Sequence, residues 1–300
     1  MSLVATHDPG FAGRPRRSVL YVPGSNARAI AKARTLPCDG LILDLEDSVA
    51  PEAKETARDA VVAALVEGGF APREVLVRVN ARGTPWFDDD LASLARAGTD
   101  GVVLPKAEAP GDVAAAAALL GAAGAPAGLP LWLTIETPRG VLAADALAGA
   151  HPSVAGLVAG TSDLARDLHA RHVPSREPLL FALSAVVLAA RAHGLAALDG
   201  VHLALDDDAG FEAACRQGRD LGFDGKTLVH PRTIEAANRH FSPGPEELEA
   251  ARRLLAAWRE AREAGRGVTV LDGRLVEELH AREAARLVAL AEAVEALRRA

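Results

Sequence analysis

The chain has 300 residues, 49% hydrophobic and 24% charged, with a formal net charge of −7, the composition of a globular protein with room for one large domain or two modest ones. An acidic balance without a basic stripe, and aromatics at only 4%, exclude the electrostatic footprint and the stacking platform of a nucleic-acid binder. The two cysteines, Cys38 and Cys215, lie far apart with no CxxC partner, which excludes a disulfide framework or zinc knuckle and suits a reducing cytoplasm.

Residues 1–15 carry no apolar h-region and read as a disordered leader, not a secretory signal. From residue 16 onward, short apolar runs alternate with helical patterns. Ser18–Val22 is the first strand, followed by a helix opening near Asn26; Gly40–Leu45 is the second, followed by a helix with Pro51 in its first turn, where a missing N–H costs little. Glu74–Val79 precedes a helix from about Pro85 to Ala97. Gly101–Leu104, Leu131–Ile135, Val154–Ala159, Ala196–Asp199 and Gly225–Val229 complete the series. The uncharged stretch Val113–Ile135 has roughly the length of a membrane span, but Gly121, Gly124, Pro126, Gly128 and Pro130 break it into a helix, a turn and a buried strand.

The runs are continuous instead of alternating, as in strands buried on both faces of a parallel sheet. Eight βα units at about 28 residues each is the count of a closed (β/α)₈ TIM barrel. An open doubly wound sheet is the rival, but no GxGxxG follows the first strand. The barrel is therefore assigned to 16–241. Residues 242–300 form a C-terminal helical extension: a helix over Glu246–Ala264, a short piece at Gly267–Asp272, and a last helix with Leu287, Leu290, Val294 and Leu297 on one face. That extension packs either on its own barrel or on a neighbouring subunit.

In such barrels the chemistry sits where the strands end, and nearly every strand here ends in a polar group. Asp44, Glu46 and Asp47 end the second, Arg78 and Asn80 the third, Lys106 the fourth, Glu136 the fifth, Asp163 the sixth and Asp199 the seventh; the eighth carries Lys226 and runs into His230. Only four lysines occur, against 29 arginines, so a lysine at the mouth suggests a need for a compact point charge. Glu136 and Asp163 end adjacent strands and can converge on magnesium, which takes oxygen ligands and keeps several waters. Glu46 and Asp47 could hydrogen-bond those waters. The competing reading is that Glu136 and Asp163 only cap helices. Arg78 on an apolar strand needs a carboxylate partner or an anionic ligand; it either clamps a substrate carboxylate or oxyanion, or pairs internally with Glu46 or Asp44. His169 and His172 lie in a charged loop, and no GxSxG, HExxH or P-loop is present.

Taken together, Arg17–Gly24 (RSVLYVPG), Leu43–Val49 (LDLEDSV), Val77–Asn80 (VRVN), Leu104–Glu108 (LPKAE), Ile135–Gly140 (IETPRG), Gly160–Leu164 (GTSDL) and Gly225–Pro231 (GKTLVHP) resemble, in order, the signatures of citrate lyase beta subunit-like proteins of the HpcH/HpaI aldolase superfamily, relatives of the malyl-CoA lyases. The resemblance spans roughly residues 16–290. It implies a (β/α)₈ barrel, Mg²⁺ held by Glu136 and Asp163, Arg78 facing the substrate carboxylate and oxyanion, and Glu46 and Asp47 supporting the metal waters. Arg17, Lys106 and Lys226 become candidates for the CoA phosphates or the mouth. It also implies a homo-oligomer, a trimer or hexamer, whose C-terminal lid serves a neighbouring site.

Two departures stand out. Where the family's lid commonly carries Asp in a Gly-x-Met-x-Asp pattern, this chain has Gly273-Arg274-Leu275-Val276-Glu277; Glu277 is the candidate acid/base, one methylene longer. The acidic residue often found before the sixth-strand Asp is Ser162 here. The expected activity is a magnesium-dependent carbon–carbon lyase on a carboxylated 3-hydroxyacyl-CoA, such as malyl-, methylmalyl- or citramalyl-CoA. Its products would be acetyl- or propionyl-CoA and the oxo-acids glyoxylate or pyruvate. The alternatives are a (3S)-malyl-CoA-type thioesterase using the same site, a Schiff-base aldolase using Lys106 or Lys226, and a non-catalytic subunit of citrate lyase type.

Overall fold

All eight apolar runs form strands in the computed structural model, which describes residues 13–299; most of the proposed leader, residues 1–12, lies outside the described residues. The strands are β1 (Ser18–Pro23), β2 (Gly40–Asp44), β3 (Glu74–Arg78), β4 (Gly101–Leu104), β5 (Leu131–Ile135), β6 (Val154–Ala159), β7 (Ala196–Asp199) and β8 (Gly225–Leu228). They pair in parallel in sequence order, and β8 pairs back onto β1 to close the barrel. Between them run α1 (Ala27–Ala33), α2 (Lys54–Glu67), α3 (Phe87–Leu94), α4 (Pro110–Ala122), α5 (Pro138–Leu142), α6 (Ala144–Ala148), α7 (Thr161–Asp167), α8 (Leu180–Ala192) and α9 (Asp208–Leu221), with α10 (Ile234–His240) after β8. The uncharged Val113–Ile135 stretch divides into part of α4, a turn and β5. No described helix is long and apolar enough to cross a membrane.

Strand alternation divides the core in two. Val19, Ile42, Leu76, Val103, Trp132, Val158, Ala196 and Leu198 form one buried cluster inside the barrel, while the residues beside them, such as Leu20, Leu43, Val77, Leu133 and Leu157, pack outward against the helices. Gly156 makes room for the largest interior side chain, because a Cβ there would lie 2.3 Å from the Trp132 ring. Arg16 stacks over Trp132, 5.1 Å from its centroid, and pairs with Glu74 at 2.6 and 2.8 Å. This pair lies at the N-terminal end of the barrel, leaving the C-terminal ends of the strands to form the site.

The described contacts separate a unit over Arg16–Phe241 from a second that includes residues 242–299. In the second unit α11 (Pro245–Glu263) and α12 (Glu278–Arg299) pack together, joined through the antiparallel β9 (Thr269–Leu271) and β10 (Arg274–Val276).

Candidate active site

Asp44 and Arg78 are register partners at the ends of β2 and β3, in phase with Ile42 and Leu76, so both face the barrel interior. They form a bidentate pair, Arg78 Nε donating to Asp44 Oδ1 at 2.7 Å and Nη2 to Oδ2 at 2.9 Å. Asp44 also accepts from the backbone N–H of Glu46 at 2.9 Å and of Ser48 at 3.1 Å. Those bonds shape the loop after β2 and set Glu46 beside the guanidinium. Arg78 Nη1 lies 2.8 Å from Glu46 Oε2 and 3.2 Å from Asp47 Oδ2. The first is an ion contact without hydrogen-bond geometry, since Glu46 Oε2 has no hydrogen-bond partner.

Lys106 follows β4 with a left-handed backbone, φ 51°. Its ammonium meets Glu46 Oε1 and lies 3.6 Å from Asp163 Oδ2 and 3.8 Å from Asp47 Oδ1. Its N–H donates to Glu136 Oε1 at 2.8 Å. The structure therefore gathers Glu46, Asp47, Arg78, Lys106, Glu136 and Asp163 at one mouth. A cavity of about 310 Å³ opens there, with Arg78, Glu136 and Asp163 among its polar lining and Val201, Leu203 and Val229 among its apolar lining.

The electrostatics follow from crowding five carboxylates (Asp44, Glu46, Asp47, Glu136 and Asp163) around Arg78 and Lys106, with the exposed Arg166 donating to Asp163 Oδ1 at 2.8 Å from the solvent side. Burial pushes Glu136 up to about 7, the Glu46 charge adds to this, and Lys106 and Arg78 oppose it. Burial also raises Glu46, with Asp47 adding to it, against Arg78 and Lys106. Burial would raise Asp44 as well, but Arg78 and the hydrogen bonds from Ser48 and Glu46 hold it below the usual carboxylate range. Tyr21, under the Arg78 guanidinium at 4.9 Å, is raised chiefly by burial.

Among the described residues no three His, Cys, Asp or Glu side chains form a ready metal cage. A pair of carboxylates is still enough for magnesium, which supplies its remaining ligands from water and substrate. Two features suit such an ion. Asp163 Oδ2 is buried without a hydrogen-bond partner, and Gly160 keeps clear the space beside Glu136, because a Cβ there would lie 2.2 Å from Glu136 Cβ and 2.7 Å from Oε2. The donor set fits a hard divalent cation between Glu136 and Asp163.

Two expected site residues stand elsewhere in the barrel, and a third belongs to the other unit. Arg17 lies at the N-terminal end of the barrel, just before β1, and donates to Asp39 at 2.7 and 2.8 Å. It does not reach the mouth. Lys226 alternates with the inward Thr227 and so points outward through the wall of β8, fully buried. There its ammonium bonds Asp199 Oδ2 at 2.8 Å and the Gly200 carbonyl, and Arg176 completes the cluster by donating to both Asp199 oxygens at 2.8 Å. Glu277 is an exposed residue between β10 and α12 in the second unit, and its N–H donates to His280 Nδ1 at 3.1 Å. The sequence reading did not single out Tyr21, Thr134 or Thr161, all of which line the cavity; alternation with Val19 and Trp132 is the signal that places the first two inside.

A family model described as HpcH/HpaI aldolase/citrate lyase matches residues 17–231. The chain belongs to this family. It is 46% identical over 284 residues to a (3S)-malyl-CoA thioesterase of Cereibacter sphaeroides, covering 95% of this chain and 97% of that protein. It is 37% identical over 269 residues to citrate lyase subunit beta of Escherichia coli, covering 88% and 89%. Among solved structures it is similar to the CitE protein of Mycobacterium tuberculosis in complex with magnesium, acetoacetate and coenzyme A, at 32% identity and TM-score 0.75, covering 94% of this chain and 99% of that one. These relatives are named as a thioesterase of a CoA ester and as a lyase subunit.

Proposed function

We propose that the barrel mouth is a magnesium-dependent site for the CoA thioester of a hydroxydicarboxylic acid, malyl-CoA being the simplest, and that its net reaction is thioester hydrolysis. The observation carrying the magnesium site is the excess of carboxylates over cations, with Asp163 Oδ2 buried without a hydrogen-bond partner and Glu136 destabilised as an anion. Hydrolysis is favoured over lysis by the malyl-CoA thioesterase likeness, which is the stronger in identity and spans nearly the whole chain.

Glu136 and Asp163 would hold the ion. When bound, magnesium supplies charge balance and Lewis-acid polarisation of the acyl substrate's oxygens. Arg78 orients the substrate: its recorded contacts leave an Nη2 N–H available for a substrate carboxylate. Glu46 and Asp47 fix that guanidinium and Lys106, so the positive groups keep their places before substrate arrives. Val201, Leu203 and Val229 give the mouth an apolar side against which the acyl chain and its thioester can rest. In the hydrolytic step a water adds to the thioester carbonyl, the C–S bond breaks, and the proton lost by the water ends on the departing CoA thiolate. Glu277, brought in by the lid of this chain or of a neighbour in a trimer or hexamer, is the proposed proton carrier. The free, buried thiols Cys38 and Cys215 suit a reducing, cytoplasmic setting.

The citrate lyase likeness favours one second reading, carbon–carbon cleavage at the same site. The substrate hydroxyl then gives its proton to Glu277, the C–C bond breaks to release the oxo-acid, and Glu277 returns that proton to the thioester enolate. Glu136→Ala and Asp163→Ala separate the magnesium site from either outcome. Each is expected to abolish magnesium-dependent turnover of malyl-CoA, and full turnover in either would remove that residue from the site.

A further inference from the structure

Lys54 opens α2 and is one of only four lysines. Its side chain is buried, with the residue 6% exposed, yet no carboxylate lies within ion-pair distance of it among the described residues. Its ammonium instead donates to two main-chain carbonyls, Leu45 O at 2.8 Å and Glu46 O at 2.6 Å, and sits 5.5 Å from the centre of the Trp86 ring. Asp44, Glu46, Asp47 and Asp90 favour its charge from longer range, but desolvation by burial outweighs them, and burying a cation without a direct ion pair is unfavourable. A neutral residue would be the more stable choice if filling space were all that was required. What the ammonium provides is a point where two successive carbonyls converge, which a side chain with no donor cannot supply.

Those carbonyls belong to the turn that carries the acidic group of the mouth. Leu45 N–H bonds Arg78 O at 2.9 Å and Val49 N–H bonds Glu46 O at 3.0 Å, so the peptide is held from the β3 side, from the turn and from Lys54. On its other side the Glu46 side chain meets Arg78 Nη1 at 2.8 Å and also the Lys106 ammonium. We infer that Lys54 is a positioning residue for the reaction at the barrel mouth: it fixes the Leu45–Glu46 backbone and thereby aims the Glu46 carboxylate between Arg78 and Lys106. This rests on the proposal that the mouth is the catalytic site. Lys54 is not among the residues that line the cavity. Its spacing of eight residues from Glu46, across the helix start, brings it back under the turn.

The test is a double-mutant cycle with Lys54→Met and Glu46→Gln, read as kcat and KM for magnesium-dependent malyl-CoA turnover with thermal unfolding measured alongside. Lys54→Met is expected to lower kcat at least about tenfold with a smaller change in KM, and Glu46→Gln is expected to add nothing further once Lys54 is gone. Residues that act as a unit are non-additive in this way, whereas a merely structural lysine would give additive losses. Additive losses, or wild-type kcat in Lys54→Met, overturn the inference. If Lys54→Met does not fold, the cycle is read on Lys54→Arg, whose planar head does not place one nitrogen between both carbonyls. Reduced kcat that is non-additive with Glu46→Gln supports the inference there, and unchanged kcat overturns it. A crystal structure of the folded variant reads the same claim without activity: displacement of the Glu46 carboxylate from Arg78 and Lys106 is expected, and an unmoved Glu46 refutes it. Absence of turnover in the wild-type protein would refute the proposed function alone, leaving the crystallographic result to decide Lys54.

Discussion

Glu136→Gln in metal-free protein is expected to stabilise the fold while destroying the site. The carboxyl is raised from 4.5 to about 7 by burial and by the Glu46 charge. A carboxyl raised in the folded state binds its proton more tightly there than in the unfolded chain. Between about pH 4.5 and 7 the folded protein therefore holds protons that the unfolded chain has lost, and stability falls as pH rises through that window. At about 1.4 kcal/mol per unit, the ionised form costs about 3 kcal/mol above pH 7 and nothing below 4.5. Glutamine keeps the shape and an acceptor for the Lys106 N–H, now at 2.8 Å, but carries no charge. In chelator at pH 8, Glu136→Gln should melt about 6–12 °C above wild type, at about 2–4 °C per kcal/mol for a domain of this size. The gap should close as pH is lowered to about 5. Added magnesium should raise the wild-type melting temperature and leave the variant unmoved. A variant that melts below wild type at pH 8, or a gap independent of pH, would refute the electrostatic argument.

Further outcomes follow from other contacts at and behind the mouth. Arg78→Lys loses the bidentate Asp44 pair and should lower kcat/KM by about a hundredfold or more, measured by steady-state kinetics; an effect under threefold would contradict the clamp. Lys226→Met leaves Asp199 with Arg176 alone and should cost about 3–5 kcal/mol of stability in denaturant unfolding. The KM for a CoA thioester should stay unchanged, because Lys226 faces away from the mouth; a selective rise in KM would restore it to the binding surface. Gly160→Ala drives a methyl into Glu136 and should abolish magnesium binding in calorimetry, with wild-type affinity as the contrary result.

The barrel was legible because its strands are buried on both faces, so each appears as an unbroken apolar run with its end marked by a polar residue. Gly40–Asp44 and Leu131–Ile135 are such cases. The convergence of Glu136, Asp163, Arg78 and Lys106 was legible for the same reason, since strand ends meet at one face. What sequence position could not supply was the side to which each terminal residue points. Asp199 and Lys226 end or occupy strands as Asp44 and Arg78 do, but they stand one residue out of phase with the interior Leu198 and Thr227. They therefore pair behind the wall instead of facing the mouth. Period-two alternation carries that information once an interior residue is known. The internal pairing of Arg78 and its availability to substrate, set out as rivals from the sequence, are compatible, because a guanidinium has five donors. Glu277 shows a different limit. Its chemistry is readable, but a local motif does not encode which site it serves.

The central claim is tested most directly by incubating purified protein with (3S)-malyl-CoA, with magnesium or with chelator, and identifying the products by mass spectrometry. The account predicts free CoA and malate with magnesium and neither with chelator. Acetyl-CoA with glyoxylate would keep the site and assign it to the lyase reading. Intact malyl-CoA under both conditions, or turnover indifferent to chelator, would contradict a magnesium-dependent thioester site at the barrel mouth.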